Sequence, residues 1–177
     1  MAEGRLSGPI PAGQDPDGYD RLRRRILWSL PTGLYVLGSR AAGRRNLMTL
    51  NWATQVATEP KLVGVSVEKA AVTHMLVAEG RAFTLNVLDR RDRAVVRKFV
   101  KPLDDGGAPA DLAGFAVHRE VTGAPVLDLA AAWLDCRVTQ EVDCGSHTLF
   151  VGEIVGCGGG DTDEVLRMED TRMNYGG

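Results

Sequence analysis

The chain has 177 residues, with 21 Lys and Arg against 23 Asp and Glu and a formal charge of −2. That length fits one domain, and that charge gives no electrostatic case for a nucleic-acid partner. The 44% hydrophobic and 25% charged shares are those of an ordinary globular protein, and no apolar run approaches the roughly 18 residues of a membrane helix.

Residues Met1–Gln14 are polar, carry Gly and Pro, and lack the apolar core of a signal peptide. They are expected to be a flexible tail before a domain at 15–177, and a cytoplasmic location is the default. Pro16–Ser29 reads as a helix capped by Asp15 or Asp17, with Tyr19, Leu22, Ile26 and Leu30 at helical spacing and Arg21, Arg23, Arg24 and Arg25 on the other face. After Pro31 the pattern turns to β. Leu34–Gly38 is a short strand, Ala41–Arg44 a turn, and Leu47–Ala57 and Leu62–Val67 two strands broken at Glu59-Pro60. Val72–Glu79 is a short helix with Gly80 as its stop, and Ala82–Leu88 an alternating strand. Arg91–Lys101 reads as a helix ended by Pro102, and Leu103–Ala113 as a surface loop. Ala116–Val121, Ala131–Val142 and Thr148–Cys157 are strands, Gly158–Asp161 a turn, and Val165–Met168 a last strand. Many short strands without β-α alternation predict a mainly β protein with helices, a β-barrel with helical decorations.

Three cysteines, Cys136, Cys144 and Cys157, without C-x-x-C spacing argue against disulfides and a zinc site. No G-x-G-x-x-G opens a helix, so a resident dinucleotide domain is not expected. The stretch from Asn46 to Leu76 is richer. Thr49, Asn51 and Thr54 are interleaved with apolar residues. An alternating strand then runs into Glu68 and Lys69, with Thr73 at the start of a helix. Donors, a cation and a helix N-terminus so close together suit a phosphate monoester joined to a polar aromatic ring. By period two, Thr49 and Asn51 share one strand face, and Met48, Leu50 and Trp52 the other.

Pro31-Thr32-Gly33, the run Asn46, Met48, Thr49, Asn51 and Trp52, then Pro60 with Leu62–Val67, Phe83–Val87 and Gly145–Val155 follow one another in an order similar to the flavin reductase-like FMN-binding family. The resemblance covers roughly residues 26–155. It implies an FMN-binding split barrel of Greek-key type, a homodimer, and FMN (or FAD) as flavin. NAD(P)H would bind transiently, and reduced flavin would pass to a partner such as a flavin-dependent monooxygenase. The resemblance also implies flavin contacts at Asn46, Met48, Thr49, Leu50, Asn51, Trp52, Val67, Glu68, Lys69 and Thr73, and a catalytic role for His147 near the nicotinamide.

Each residue also has a plainer reading. Asn46 can serve a turn, Lys69 can be an exposed strand end, Thr73 can cap its helix, and Trp52 and Trp133 can be core. Ser146 stands where the family has an aspartate, which removes a carboxylate from beside His147. Tyr175 can close over a partner subunit's site or belong to a loose end. The leading expectation is an NAD(P)H:flavin oxidoreductase. The alternatives are an FMN electron carrier not reduced directly by NAD(P)H, and a cofactor-free or haem-binding relative using His74, His118 or His147.

Overall fold

The computed structural model describes residues 8–160 and 164–173. Helix α1 (Pro16–Trp28) starts where expected: the Asp15 carboxylate accepts from the Gly18 N–H at 2.7 Å, and Pro16 occupies the first turn. Its apolar stripe behaves otherwise. No residue of α1 is buried, and Ile26, Leu27, Trp28 and Leu30 are 52–60% exposed.

Strands β1 (Tyr35–Ala41) and β2 (Arg44–Leu50) form a hairpin through Ala42-Gly43. Both turn residues have positive φ, the requirement of a two-residue turn that matches strand twist. The predicted strand 47–57 is in fact two, because β2 stops at Leu50 and β3 (Ala53–Thr58) starts after Asn51-Trp52. Next come β4 (Lys61–Glu68), α2 (Val72–Gly80) and β5 (Ala82–Val87). Gly80 is the last residue of α2, not its left-handed stop; Arg81 takes that conformation at φ 53°. A Cβ on Gly80 would strike the Arg40 carbonyl, so glycine serves close approach there.

The predicted helix 91–101 is replaced by two 3-10 turns, Arg90–Asp92 and Val95–Phe99. Val96 and Phe99 are its buried anchors, three apart as a 3-10 turn repeats. The Val96 carbonyl accepts from the Thr49 hydroxyl at 2.5 Å, which offers it a partner outside any helical ladder. Two short strands went unpredicted: β6 (Asp111–Leu112), inside the expected loop, and β8 (Pro125–Leu127). They flank β7 (Phe115–Arg119) in a three-stranded sheet. Long strands β9 (Ala132–Asp143) and β10 (His147–Gly159) follow. The expected strand 165–168 is two isolated bridges, Gly33 with Arg167 and Asp89 with Val165, followed by a 3-10 turn at Met168–Asp170. Leu166 bonds by its backbone to both Leu34 and Leu88, so this segment staples two elements instead of joining one sheet.

The main sheet has the order β2-β1-β5-β9-β10-β4-β3, all antiparallel. Its two edge strands, β2 and β3, are consecutive in the chain. Leu50 and Ala53 are three steps apart, a reach of at most about 11 Å. The sheet must therefore curl until its edges nearly meet, which makes it a barrel with a seam at Asn51-Trp52. Leu37, Leu50, Val65, Val67, Phe83, Cys136 and Phe150 belong to the core on one side of the sheet. Gly152 on β10 is required here, since a Cβ would press on the Phe83 ring at 2.7 Å. A second core, with Leu34, Val36, Leu47, Val96, Phe99 and Leu166, lies under the 3-10 turns and the small sheet.

Arg45 ties the segment after those turns to β2. It is 6% exposed, meets the Asp105 carboxylate at 2.5 and 3.0 Å, and donates to the carbonyls of Ala108, Pro109 and Asp111. The pair raises the Arg45 pKa and lowers that of Asp105, the mutual hydrogen bond being the first cause of each shift.

Candidate functional site

Two clefts adjoin at the barrel seam. The inner one has a volume of about 430 Å³ and runs between the end of β2, the end of β4, the first turn of α2 and residues 100–102. The outer one, about 970 Å³, lies between the end of α1, residues 31–35, the seam and residues 165–173. Both volumes fall in the range of small-molecule sites. Asn51, Met168 and Met173 line both.

Asn46, Met48, Thr49, Leu50, Asn51, Glu68 and Thr73 all line the inner cleft. Their side chains are not equally available. Asn46 is not in a turn but inside β2, 3% exposed. Its amide donates to the Thr73 hydroxyl at 2.8 Å and accepts from the Leu103 N–H at 3.0 Å. It thus holds the start of α2 and the 101–103 segment on either side of the cleft. Thr49 is spent on Val96. Thr49 and Asn51 both line this cleft, although β2 ends at Leu50 between them. Asn51 is different: it is 5% exposed, and its side-chain amide makes no hydrogen bond among the described residues. It lines both clefts, so its donor and acceptor remain available to a ligand there.

Three expected contacts lie elsewhere. Val67 is fully buried in the core; alternation along β4 sends Ser66 and Glu68 to the cleft and Val67 away. Lys69 points to Asp143, Nζ to Oδ1 at 2.7 Å, across an exposed strand end, and Lys69 is the chief cause of the lowered Asp143 pKa. Trp52 lines the outer cleft, not the inner. Ser66 and Lys101 were missed. Counting back by two from Glu68 would have found Ser66, while no local signal marked Lys101.

His147 opens β10, paired in register with Glu68. Its ring lies 4.9 Å from that of Trp52, centroid to centroid, so it backs the tryptophan that faces the outer cleft. Ser146 Oγ lies 2.8 Å from its Nδ1. A hydroxyl can donate or accept, so it orients the ring without committing the tautomer as a carboxylate would. His74 bonds Thr148 Oγ1 at 2.8 Å, and burial, then Lys69, lower its pKa. His118 is paired with Asp128. Tyr175 lies outside the described residues, as do Met1–Ser7 of the expected tail and Asp161 of the expected turn. Among the described residues, no His, Cys, Asp and Glu cluster could hold a metal ion, and no helix is long and apolar enough to cross a membrane.

A curled antiparallel sheet with a mainly apolar cleft at its seam, carrying a few polar side chains, defines a split β-barrel. Residues 27–176 match the flavin reductase like domain family. The chain belongs to that family. It is 32% identical over 153 residues to the NADH-dependent FAD reductase of Streptomyces globisporus, covering 82% of this chain and 80% of that protein. Among solved structures it resembles the NADH:FAD oxidoreductase of Streptomyces globisporus C-1027, with a TM-score of 0.72 and 27% identity over 90% of this chain and 93% of that one. It also resembles the styrene monooxygenase flavin reductase of Pseudomonas putida S12, with a TM-score of 0.65 and 27% identity over 78% of this chain and 87% of that one. The chain spans between 23% and 63% of the length of three other curated relatives that it matches.

Proposed function

We propose that this protein is a flavin-binding oxidoreductase, an NAD(P)H:flavin reductase that supplies reduced flavin to a partner oxygenase. The observation that carries the reading is Asn51, a residue 5% exposed that lines both clefts and whose side-chain amide makes no hydrogen bond among the described residues. Its donor and acceptor suit the polar edge of a flavin ring, with FMN as the flavin and FAD as the other candidate. Bound flavin supplies the hydride acceptor. The chain's own work is positioning. Asn51 orients the ring edge, Met48 and Leu50 provide apolar wall, and Trp52, backed by His147, faces the space in the outer cleft for a nicotinamide. The two NADH-linked Streptomyces globisporus comparisons and the styrene monooxygenase flavin reductase support the hydride donor and the oxygenase.

Protein prepared with flavin should be yellow, and anaerobic NADH or NADPH should bleach the flavin band. Asn51→Leu, similar in size but without the amide, should weaken flavin binding about 10-fold, a loss of roughly 1.4 kcal/mol, on the scale of one hydrogen bond. Unchanged affinity would remove Asn51 from the site. A second reading is an electron carrier that holds FMN without taking hydride. The absence of His147 from the walls of both clefts favours it, and a flavin band that resists both nicotinamides while yielding to dithionite would establish it.

We also propose a homodimer. Leu22, Ile26, Leu27, Trp28 and Leu30 are all exposed, and Leu27, Trp28 and Leu30 line the outer cleft, more apolar surface than a helix leaves in water without reason. Sedimentation at micromolar concentration should give twice the chain mass, and Ile26→Asp with Leu30→Asp should give the monomer. A wild-type monomer would refute the dimer.

A further inference from the structure

The sequence singles out Lys69 as the cation for a flavin phosphate, yet the structure turns it toward Asp143. Lys101 lines the inner cleft and has no ion-pair partner among the described residues. The opposite wall is the first turn of α2. Ala71 at its N-cap makes no side-chain cap bond, so N–H groups there lack intrahelical partners. Thr73 is fully buried beside them. Its oxygen accepts from Asn46, and its hydroxyl proton has no acceptor among the described residues. One end of the cleft therefore offers backbone donors of the α2 start and a lysine, with Asn46 bridging the two walls through the buried Thr73 and Leu103.

We propose that Lys101 is the residue that recognises the flavin 5′-phosphate, set opposite α2 and Thr73 by Asn46. This rests on the flavin reading above. The phosphate is an oxyanion shared by FMN and FAD and absent from riboflavin, so the three ligands separate phosphate recognition from ring recognition. Lys101 makes a charge-assisted contact, and the α2 dipole adds to it.

The test is titration of the full chain with riboflavin, FMN and FAD, followed by quenching of flavin fluorescence. The readout is the ratio of phosphorylated-flavin to riboflavin affinity within each variant, which cancels any general loss of stability. Wild-type protein should prefer FMN and FAD over riboflavin. Lys101→Ala should lower that preference about 10- to 100-fold for both phosphorylated flavins, leave riboflavin within twofold, and blunt the salt dependence of FMN binding. Lys101→Arg should keep most of the preference, and Lys69→Ala should change it less than threefold. An unchanged ratio in Lys101→Ala, or a larger drop in Lys69→Ala, would overturn the proposal while leaving the flavin site intact. Failure of the wild-type chain to bind any of the three would overturn both.

Discussion

Arg45→Met should cost about 3–5 kcal/mol of folding stability, the range for removing one partner of a buried ion pair. The arginine holds Asp105 and three carbonyls at once. Its loss leaves a largely buried carboxylate without its countercharge and frees the segment beyond residue 103. Denaturant melts should show the drop as a lower midpoint with little change in slope. The effect has a pH signature. Asp105 is held below its ordinary value by Arg45. A carboxyl depressed in the folded state stabilises above its unfolded pKa, near ~3.9, and loses that contribution as pH falls through the folded pKa. The gap between wild type and Asp105→Asn should therefore be full at neutral pH and narrow below about pH 4. A gap that stays constant down to pH 2 would mean that the pair is not what Arg45 contributes.

His147→Ala should retain flavin and lose speed. The histidine lines neither cleft but packs on Trp52, so its removal leaves the inner cleft walls in place. It does free the tryptophan that faces the proposed nicotinamide space. In anaerobic stopped flow, reduction by NADH or NADPH should slow about 10- to 100-fold, equivalent to roughly 1.4–2.7 kcal/mol of barrier, with FMN affinity near wild type. Trp52→Ala should produce a loss of similar size, and the double variant should add little to it, as expected for residues that act as one unit. Wild-type rates in His147→Ala would leave His147 with only a structural role. Additive losses would mean that it acts on the nicotinamide by a route independent of Trp52.

Much of the lining of the candidate cleft was legible because it is local. Asn46 and Met48–Asn51 line one cleft together with Glu68 and Thr73, and an ordered series of short motifs pointed to it. Alternation identified the strands, and it would have separated Ser66 and Glu68 from Val67 had the period been carried through to β4. The break at Asn51-Trp52 was not legible. Nothing in the Leu47–Ala57 pattern interrupts a strand, and only closure of the curled sheet demands one.

What the sequence by itself determined is what neighbouring residues settle among themselves. The helix start at Asp15-Pro16, the Ala42-Gly43 turn and the long strands β9 and β10 are set by capping, turn conformation and periodicity over a few residues. Only the tertiary structure decided how each polar side chain is used. Asn46 meets Thr73 and Leu103, Thr49 meets Val96, and Lys69 meets Asp143, partners separated by 27, 57, 47 and 74 positions. A side-chain donor or acceptor engaged by the protein is no longer free for a ligand. The same residue types therefore divide into those that hold the cleft, such as Asn46 and Thr49, and those that face into it, such as Asn51 and Lys101. That division depends on which distant groups the fold brings within about 3 Å, and periodicity carries no information about it.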